Sequence, residues 1–291
     1  MSRSLVPITA TTRLVGLIGD PVDHSRSPAM HNAAFRALGL PWAYLAFRVG
    51  GDRVAEAVAA VRALGLVGVN VTIPHKAAVI PHLDKLSRRA LACGAVNTIV
   101  YRRGVLRGDN TDVIGLERDW RDIGLPVRLQ DAVVLGAGGS ARAVAVALAG
   151  RSRRVLVAAR RPERARALVR DLRRNVRTKL EAVDLADMRP GAAESDALLS
   201  RAGLVVNATS AGMKSSRFFP LAFAATPSSC FFYDLVYTAT RTPYLTAAAR
   251  VGRKGAGGLG MLLHQGAAAF EIWTGMKPPI DVMRRALRAR V

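Results

Sequence analysis

The stretch "GVNVTIPHKAAV" (68–79) closes a run of β-branched residues with a Thr-x-Pro step. It then places a lysine, Lys76, where the pattern changes from strand-like to helix-like. A lysine at such a junction is most often a solvated surface charge. It becomes a candidate acid when the junction lies at the mouth of an open α/β sheet, the end at which such folds take their ligands. A positioned ammonium can give a proton to an oxygen that is gaining negative charge and stabilise that charge at the same time. A second concentration of polar residues lies in "GDPVDHSRSPAMHN" (19–32). Proline is at home at the first position of a helix, so Pro28 predicts a helix start with Ser27 as its N-cap. Ser25, Ser27 and the N–H groups of that helix start would make a carboxylate receptor. The plainer reading is a cap for Ser27 and nothing for Ser25.

A third constellation, "VVLGAGGSARAVAVALAG" (133–150), holds Gly136-x-Gly138-x-x-Ala141 between a strand pattern and a helix pattern. Gly136 permits the tight turn, Gly138 lets backbone approach a pyrophosphate, and Ala141 allows close helix–strand packing. The strand before, the helix after and the following strand "RVLVAAR" supply the context that a bare glycine triplet lacks. The predicted cradle runs through Gly136, Ala137, Gly138, Gly139, Ser140 and Ala141. A site for NAD wants an acid at the tip of the second strand, to bind the ribose 2′-hydroxyl. Here the tip reads "AARRPER" (158–164), with Arg160, Arg161 and Arg164 and no carboxylate before Glu163. Guanidinium forks suit a 2′-phosphate, so the expected cofactor is NADP. For Arg161 the alternative is membership of the general arginine excess.

These residues need elements to hold them. Strand patterns occur at 13–20, 43–49 and 67–72, alternating with helix patterns at 27–39 and 52–65, and 96–108 reads as a short hairpin with a basic turn. A helix follows at 112–122. Segments 131–139, 154–160, 204–209 and 230–237 read as buried parallel strands, and 260–275 is a strong helix. Such alternation predicts an α/β protein with parallel sheets covered on both faces, and the new start near 131 predicts a second α/β unit.

Composition narrows the partners. The chain has 291 residues, 50% hydrophobic and 22% charged, with a formal net charge of +22; its mean hydropathy is +0.17. This is globular composition with room for two domains. No apolar run approaches the roughly 20 residues that span a bilayer. The N-terminal apolar segment reads as a first strand rather than a signal peptide, so a cytoplasmic protein is expected. Cys93 and Cys230 form no metal or redox pair, and the five histidines show no zinc spacing; no metal is expected. Of the 43 cationic residues only six are lysine. The arginines are scattered, many on helix faces in 160–179. With aromatic residues at 5%, stacking platforms for single strands are scarce, and specific nucleic-acid binding is not expected. The positive field would steer anionic substrates inward.

Three further motifs, "NVTIPHK" (70–76), "GAVNT" (94–98) and "GDNTD" (108–112), complete a series with the serine motif, the glycine loop, "NATSAGM" (207–213) and Gln265. In this order, from "GLIGDPVDHSRSP" to "GLGMLLHQGAAAFEIWTG", the chain resembles the shikimate dehydrogenases over nearly its whole length. The resemblance implies an NADP-dependent oxidoreductase that reduces 3-dehydroshikimate reversibly to shikimate, with Lys76 and Asp112 as the catalytic pair. It implies Ser25 and Ser27 on the substrate carboxylate, and Asn70, Thr72, Asn97 and Gln265 on ring hydroxyls. Tyr237 would lie near the carboxylate, with Thr209, Met213 and Gly258 on the cofactor side.

The chain departs from the family pattern at Ala159-Arg160-Arg161, where an Asn-Arg-Thr or Asn-Arg-Ser is usual, and at Thr238, where a proline is expected. The implied organisation is a substrate domain at 1–111, a Rossmann-type NADP domain at 112–257, and C-terminal helices at 258–291 returning to the first domain, with a closing cleft between the two domains and a monomer or homodimer as the assembly. Quinate or aminoshikimate dehydrogenase is the rival within the family, and a non-catalytic NADP-binding sensor is the rival outside it.

Overall fold

A computed structural model describes residues 7–126, 128–213, 218–237 and 241–289. The chain forms two compact units, Met1–Gly115 with Leu262–Val291, and Leu116–Met261.

The first unit opens with β1 (Arg13–Gly19), α1 (Ser27–Ala37), β2 (Trp42–Arg48), α2 (Val54–Ala63) and β3 (Gly68–Val71). After a series of turns come β4 (Lys85–Leu86), α3 (Arg88–Cys93), β5 (Thr98–Arg102) and β6 (Val105–Asp109). The sheet order is β2-β1-β3-β5-β6-β4. β1 is parallel to both neighbours, with Ile18 opposite Phe47 and Val71, and is buried from Val15 to Gly19. A strand covered on both faces must read as a continuous apolar run, and "LVGLIG" does. This sheet is mixed: β5 is antiparallel to both β3 and β6. The predicted basic turn accounts for the antiparallel β5–β6 pair. Arg103 (φ 51°) and Gly104 (φ 80°) form a two-residue link with both residues left-handed, the geometry that joins antiparallel neighbours.

Helix α4 (Thr111–Asp122) leads into the second unit, which contains β7 (Leu129–Leu135), α5 (Gly139–Ala147), β8 (Ser152–Ala159), α6 (Pro162–Leu172), β9 (Lys179–Asp184), α7 (Ser195–Leu199), β10 (Ala202–Asn207), β11 (Phe231–Asp234), α8 (Pro243–Arg250) and β12 (Lys254–Gly257). Its sheet is wholly parallel in the order β12-β11-β10-β7-β8-β9, the doubly wound arrangement with its switch point between β7 and β10. The sequence reading missed β9 and β12. Both are edge strands: β9 carries Lys179, Glu181 and Asp184, and β12 reads Lys-Gly-Ala-Gly, so neither shows an apolar run. Helix α6 buries Leu168, Val169 and Leu172 and exposes Arg166 and Arg170, so this arginine-rich segment is an ordinary amphipathic helix.

Helices α9 (Leu259–Thr274) and α10 (Ile280–Arg288) close the chain. Phe270, Trp273 and Leu287 join Met30 and Phe35 of α1 on one face of the first sheet, while Val58 and Val61 of α2 cover Val69, Ile99 and Leu106 on the other. Trp273 Nε1 donates to the Ile99 carbonyl at 3.0 Å. A Cβ on Gly68 would lie 2.1 Å from that carbonyl oxygen and 2.5 Å from Nε1, so only glycine fits where this tryptophan docks.

His31 is buried in the same core, stacked flat on Tyr44 at 4.5 Å, with neither ring nitrogen hydrogen-bonded. Burial pushes its pKa down to about 3. The folded state therefore keeps His31 neutral where the unfolded chain takes up a proton. The stability this represents is complete above the unfolded value and is lost as pH falls toward 3. Between about pH 7 and about pH 5 the wild type should lose on the order of 2 kcal/mol more than His31→Phe in urea denaturation. Asp234, discussed below, has its carboxyl pushed up to about 6 and acts in the opposite direction, but it is common to both proteins and cancels. Parallel losses in the two proteins would contradict this assignment.

Candidate active site

Lys76 follows β3 by five residues. The expected strand-to-helix junction is a strand-to-turn junction: turns lead from Ile73 to a single 3₁₀ turn at Ile80–His82. Pro74 and Pro81 cannot donate backbone hydrogen bonds and disfavour helical geometry at the residues before them. The turn is nonetheless pinned. His75 N donates to the Thr72 carbonyl at 2.9 Å, and the Lys76 carbonyl accepts from Val96 N at 2.7 Å. The side chain runs inward, and Nζ donates to Asp112 Oδ2 at 2.6 Å, with the two side chains 11% and 5% exposed. Asp112 lies in the first turn of α4, where the helix end favours an anion.

Backbone groups fix the polarity of the surrounding amides. Thr111 N can only donate, and it meets Asn97 Oδ1 at 2.7 Å. Asn97 Nδ2 therefore faces Asp112 Oδ1 at 2.7 Å. The Leu262 carbonyl can only accept, and it takes Gln265 Nε2 at 3.0 Å, which turns Gln265 Oε1 toward Asn97 Nδ2 at 3.3 Å. The Asn97 carbonyl likewise takes Asn70 Nδ2 at 3.1 Å; the same nitrogen reaches Thr98 Oγ1 at 3.0 Å, and Asn70 Oδ1 accepts from the Tyr44 hydroxyl at 2.8 Å. Each Asp112 oxygen thus accepts from a different donor, the pattern of an ionised carboxylate. Asp109, two residues before Thr111, is held separately: it accepts from Ser87 Oγ at 2.6 Å, from Asn110 N at 2.7 Å and from Nε and Nη2 of Arg89.

Five predicted residues, Lys76, Asp112, Asn97, Gln265 and Asn70, therefore form one buried network. Thr98, Thr111 and Tyr44 belong to it and were missed. Both threonines stood inside the motifs "GAVNT" and "GDNTD", whereas nothing in the sequence marked Tyr44. Ser25, Ser27 and Thr72 lie past the carboxyl ends of the paired strands β1 and β3. The assignment of Ser27 as N-cap is wrong. Arg26 occupies the cap position, Ser27 and Pro28 fall inside the first turn, and Ser25 Oγ accepts from Ser27 N at 3.3 Å. The chain is already helical at Arg26, so the serine before it, rather than the one after, meets the open N–H groups.

In the second unit the glycine loop follows β7 as predicted. Gly136 has φ 118°, and a Cβ there would lie 3.0 Å from the Ala208 carbonyl oxygen. Gly138 caps α5, has open space where a Cβ would be, and brings no side-chain cap or first-turn acid to that helix start. Such a helix start fits a pyrophosphate. Ala137, Gly139 and Ser140 are partly buried and Ala141 is fully buried. Arg160, Arg161 and Arg164 are exposed at the carboxyl end of β8 and the first turn of α6, a fit for a 2′-phosphate. Thr209 donates from N and Oγ1 to Asn207 Oδ1, and Met213 N donates to the Ser210 carbonyl at 3.2 Å. Gly258 is required by close approach: a Cβ would lie 2.7 Å from the Leu235 carbonyl oxygen. Tyr237 is partly buried in the second unit, and Thr238 lies outside the described residues.

A doubly wound dinucleotide unit, joined to an α/β unit with a buried lysine–carboxylate pair, defines a nicotinamide-dependent oxidoreductase. Family models match in the same order: the shikimate dehydrogenase substrate binding domain over residues 17–99, shikimate / quinate 5-dehydrogenase over 123–215, and the shikimate 5′-dehydrogenase C-terminal domain over 258–288. The chain belongs to the shikimate dehydrogenase family. It is 47% identical to shikimate dehydrogenase (NADP(+)) of Symbiobacterium thermophilum, over 95% of this chain and 94% of that one. Among solved structures it resembles shikimate 5-dehydrogenase from Thermus thermophilus in complex with NADP(H) and shikimate (37% identity, TM-score 0.81, 95% and 98% of the two chains). It also resembles quinate dehydrogenase from Corynebacterium glutamicum in complex with NAD (33% identity, TM-score 0.84, 94% and 98%).

Asn97→Ala would leave Thr111 N and one oxygen of Asp112 without partners in a buried setting. It should lower stability by about 2–4 kcal/mol, measured by chemical denaturation. A loss within experimental error would mean that water or a rearranged side chain satisfies both groups.

Proposed function

We propose that the chain catalyses the reversible, NADP-dependent reduction of 3-dehydroshikimate to shikimate. The observation that carries the reading is the buried Lys76–Asp112 ion pair, an ammonium 2.6 Å from its carboxylate within a family of shikimate dehydrogenases. NADPH, when bound, supplies the hydride. Lys76 then delivers a proton to the ring carbonyl oxygen as it becomes a hydroxyl, and takes it back in the oxidative direction. Asp112 keeps the ammonium aimed, and Asn97 keeps Asp112 from turning away. Ser25 and Ser27 at the start of α1 hold the substrate carboxylate. The contact between Asn97 and Gln265, at 3.3 Å the longest in the network around Asp112, is the one a ring hydroxyl replaces most easily.

Fold similarity does not separate shikimate from quinate, since the quinate enzyme is matched as well as the shikimate enzyme. Three exposed arginines and the missing carboxylate at the tip of β8 favour NADP over NAD, and with it the NADP-dependent shikimate activity. Absorbance of the reduced nicotinamide, followed with shikimate or quinate and with NADP⁺ or NAD⁺, should be strongest for shikimate with NADP⁺. A preference for quinate with NAD⁺ would refute the assignment. Lys76→Ala should lower kcat about 10²–10⁴-fold with a much smaller change in KM. Ser25→Ala and Ser27→Ala should instead raise the KM for shikimate, each by about tenfold. Near-normal turnover in Lys76→Ala would remove it from the chemistry.

A further inference from the structure

Asp234 ends β11 and is fully buried, yet among the described residues the groups that hydrogen-bond it are neutral donors: Asn207 Nδ2 at 2.8 Å, Val236 N at 3.0 Å and Thr242 Oγ1 at 2.6 Å. Burial pushes its carboxyl up to about 6, against the pull of the three hydrogen bonds. An interior carboxylate without a cation is expensive to keep, and a packing role alone does not call for one.

Its place in the fold gives it a different role. Asn207 and Asp234 are paired across β10 and β11, and Thr242 is the N-cap of α8, so the carboxylate ties together three segments at the carboxyl edge of the parallel sheet. A carboxylate only accepts hydrogen bonds. Asn207 must therefore turn its NH₂ toward Asp234, and this leaves Oδ1 for Thr209 N at 3.1 Å and Thr209 Oγ1 at 2.7 Å. The second N–H of Asn207 reaches the Ala211 carbonyl at 3.3 Å. Thr209 Oγ1, having given its hydrogen away, accepts from Ala211 N at 3.1 Å. The loop fixed in this way adjoins the glycine loop: a Cβ on Gly136 would lie 3.0 Å from the Ala208 carbonyl oxygen and 3.1 Å from Thr209 Cγ2.

We propose that Asp234 is a positioning residue for the dinucleotide, anchoring Asn207 to the sheet edge and through it the loop 207–211 beside the glycine turn. The proposal rests on the reading that the second unit binds NADP. Asp234→Leu keeps much of the side-chain volume but removes both acceptor oxygens, so Asn207 Nδ2, Val236 N and Thr242 Oγ1 lose their shared partner and Asn207 keeps only its contacts within the loop.

Steady-state kinetics of the full chain should show the KM for NADP⁺ about tenfold higher in Asp234→Leu, with the KM for shikimate and kcat at saturating cofactor changed less than about threefold. In an Asn207→Ala background the same substitution should add less than about twofold, because the intermediary is gone. An unchanged KM for NADP⁺, a parallel rise in both KM values, or full additivity with Asn207→Ala would overturn the proposal. Thr242→Val removes one donor from the carboxylate, together with the side-chain cap of α8, and serves if Asp234→Leu does not fold. It should raise the KM for NADP⁺ alone, by about two- to threefold, and no rise there also overturns the proposal. A wild type inactive with NADP⁺ would overturn the cofactor reading itself, and this proposal with it.

Discussion

Holding an ammonium and a carboxylate together out of water constrains the whole first unit. Removing two charges from solvent costs several kcal/mol per ion, and attraction between them offsets this only when the remaining donors and acceptors are also satisfied. The pair Lys76–Asp112 meets that condition through parts of the chain far apart in sequence. A turn after β3 supplies the lysine, the start of α4 supplies the carboxylate, the approach to β5 supplies Asn97, and α9 supplies Gln265. The mixed sheet follows from the same requirement. The hairpin of β5 and β6 returns the chain so that Asn97 and Asp112, fifteen residues apart, come within one hydrogen bond of each other.

The second unit holds its buried carboxylates in two ways. Asp131 pairs with Arg154 at 2.5 Å, whereas among the described residues the groups that hydrogen-bond Asp234 are neutral donors. In both units an orientable amide, Asn97 or Asn207, turns its oxygen to a backbone N–H that can only donate, that of Thr111 in one case and of Thr209 in the other. A side-chain amide can turn over at little cost unless its neighbours forbid it, so such fixed groups convert a flexible contact into a directional one.

Much of this was legible in the sequence because it depends on local patterns. The parallel strands β1, β7, β8 and β10 are covered on both faces and read as apolar runs, and the glycine turn stands between a strand and a helix. The basic turn at Arg103-Gly104 predicted its hairpin correctly. What escaped has physical reasons. Edge strands β9 and β12 carry charges or glycines, so they lack the apolar signal. The cap of α1 shifted by one residue because Arg26 is already helical, a displacement that sequence cannot resolve. The turn at Lys76 was read as a helix start because alanine and valine follow, while Pro74 and Pro81 in fact prevent a helix. Tyr44 and Asp234 acquire their roles only through partners 26 and 27 residues away.

The central claim is that Lys76 and Asp112 work as one unit rather than as two independent contributors. A double-mutant cycle on turnover tests this most directly, using Lys76→Ala, Asp112→Ala and the combination with shikimate and NADP⁺. The account predicts strong non-additivity, with the double variant turning over about as slowly as Lys76→Ala alone. Losses that multiply in full would show that the two residues act separately and would contradict the account.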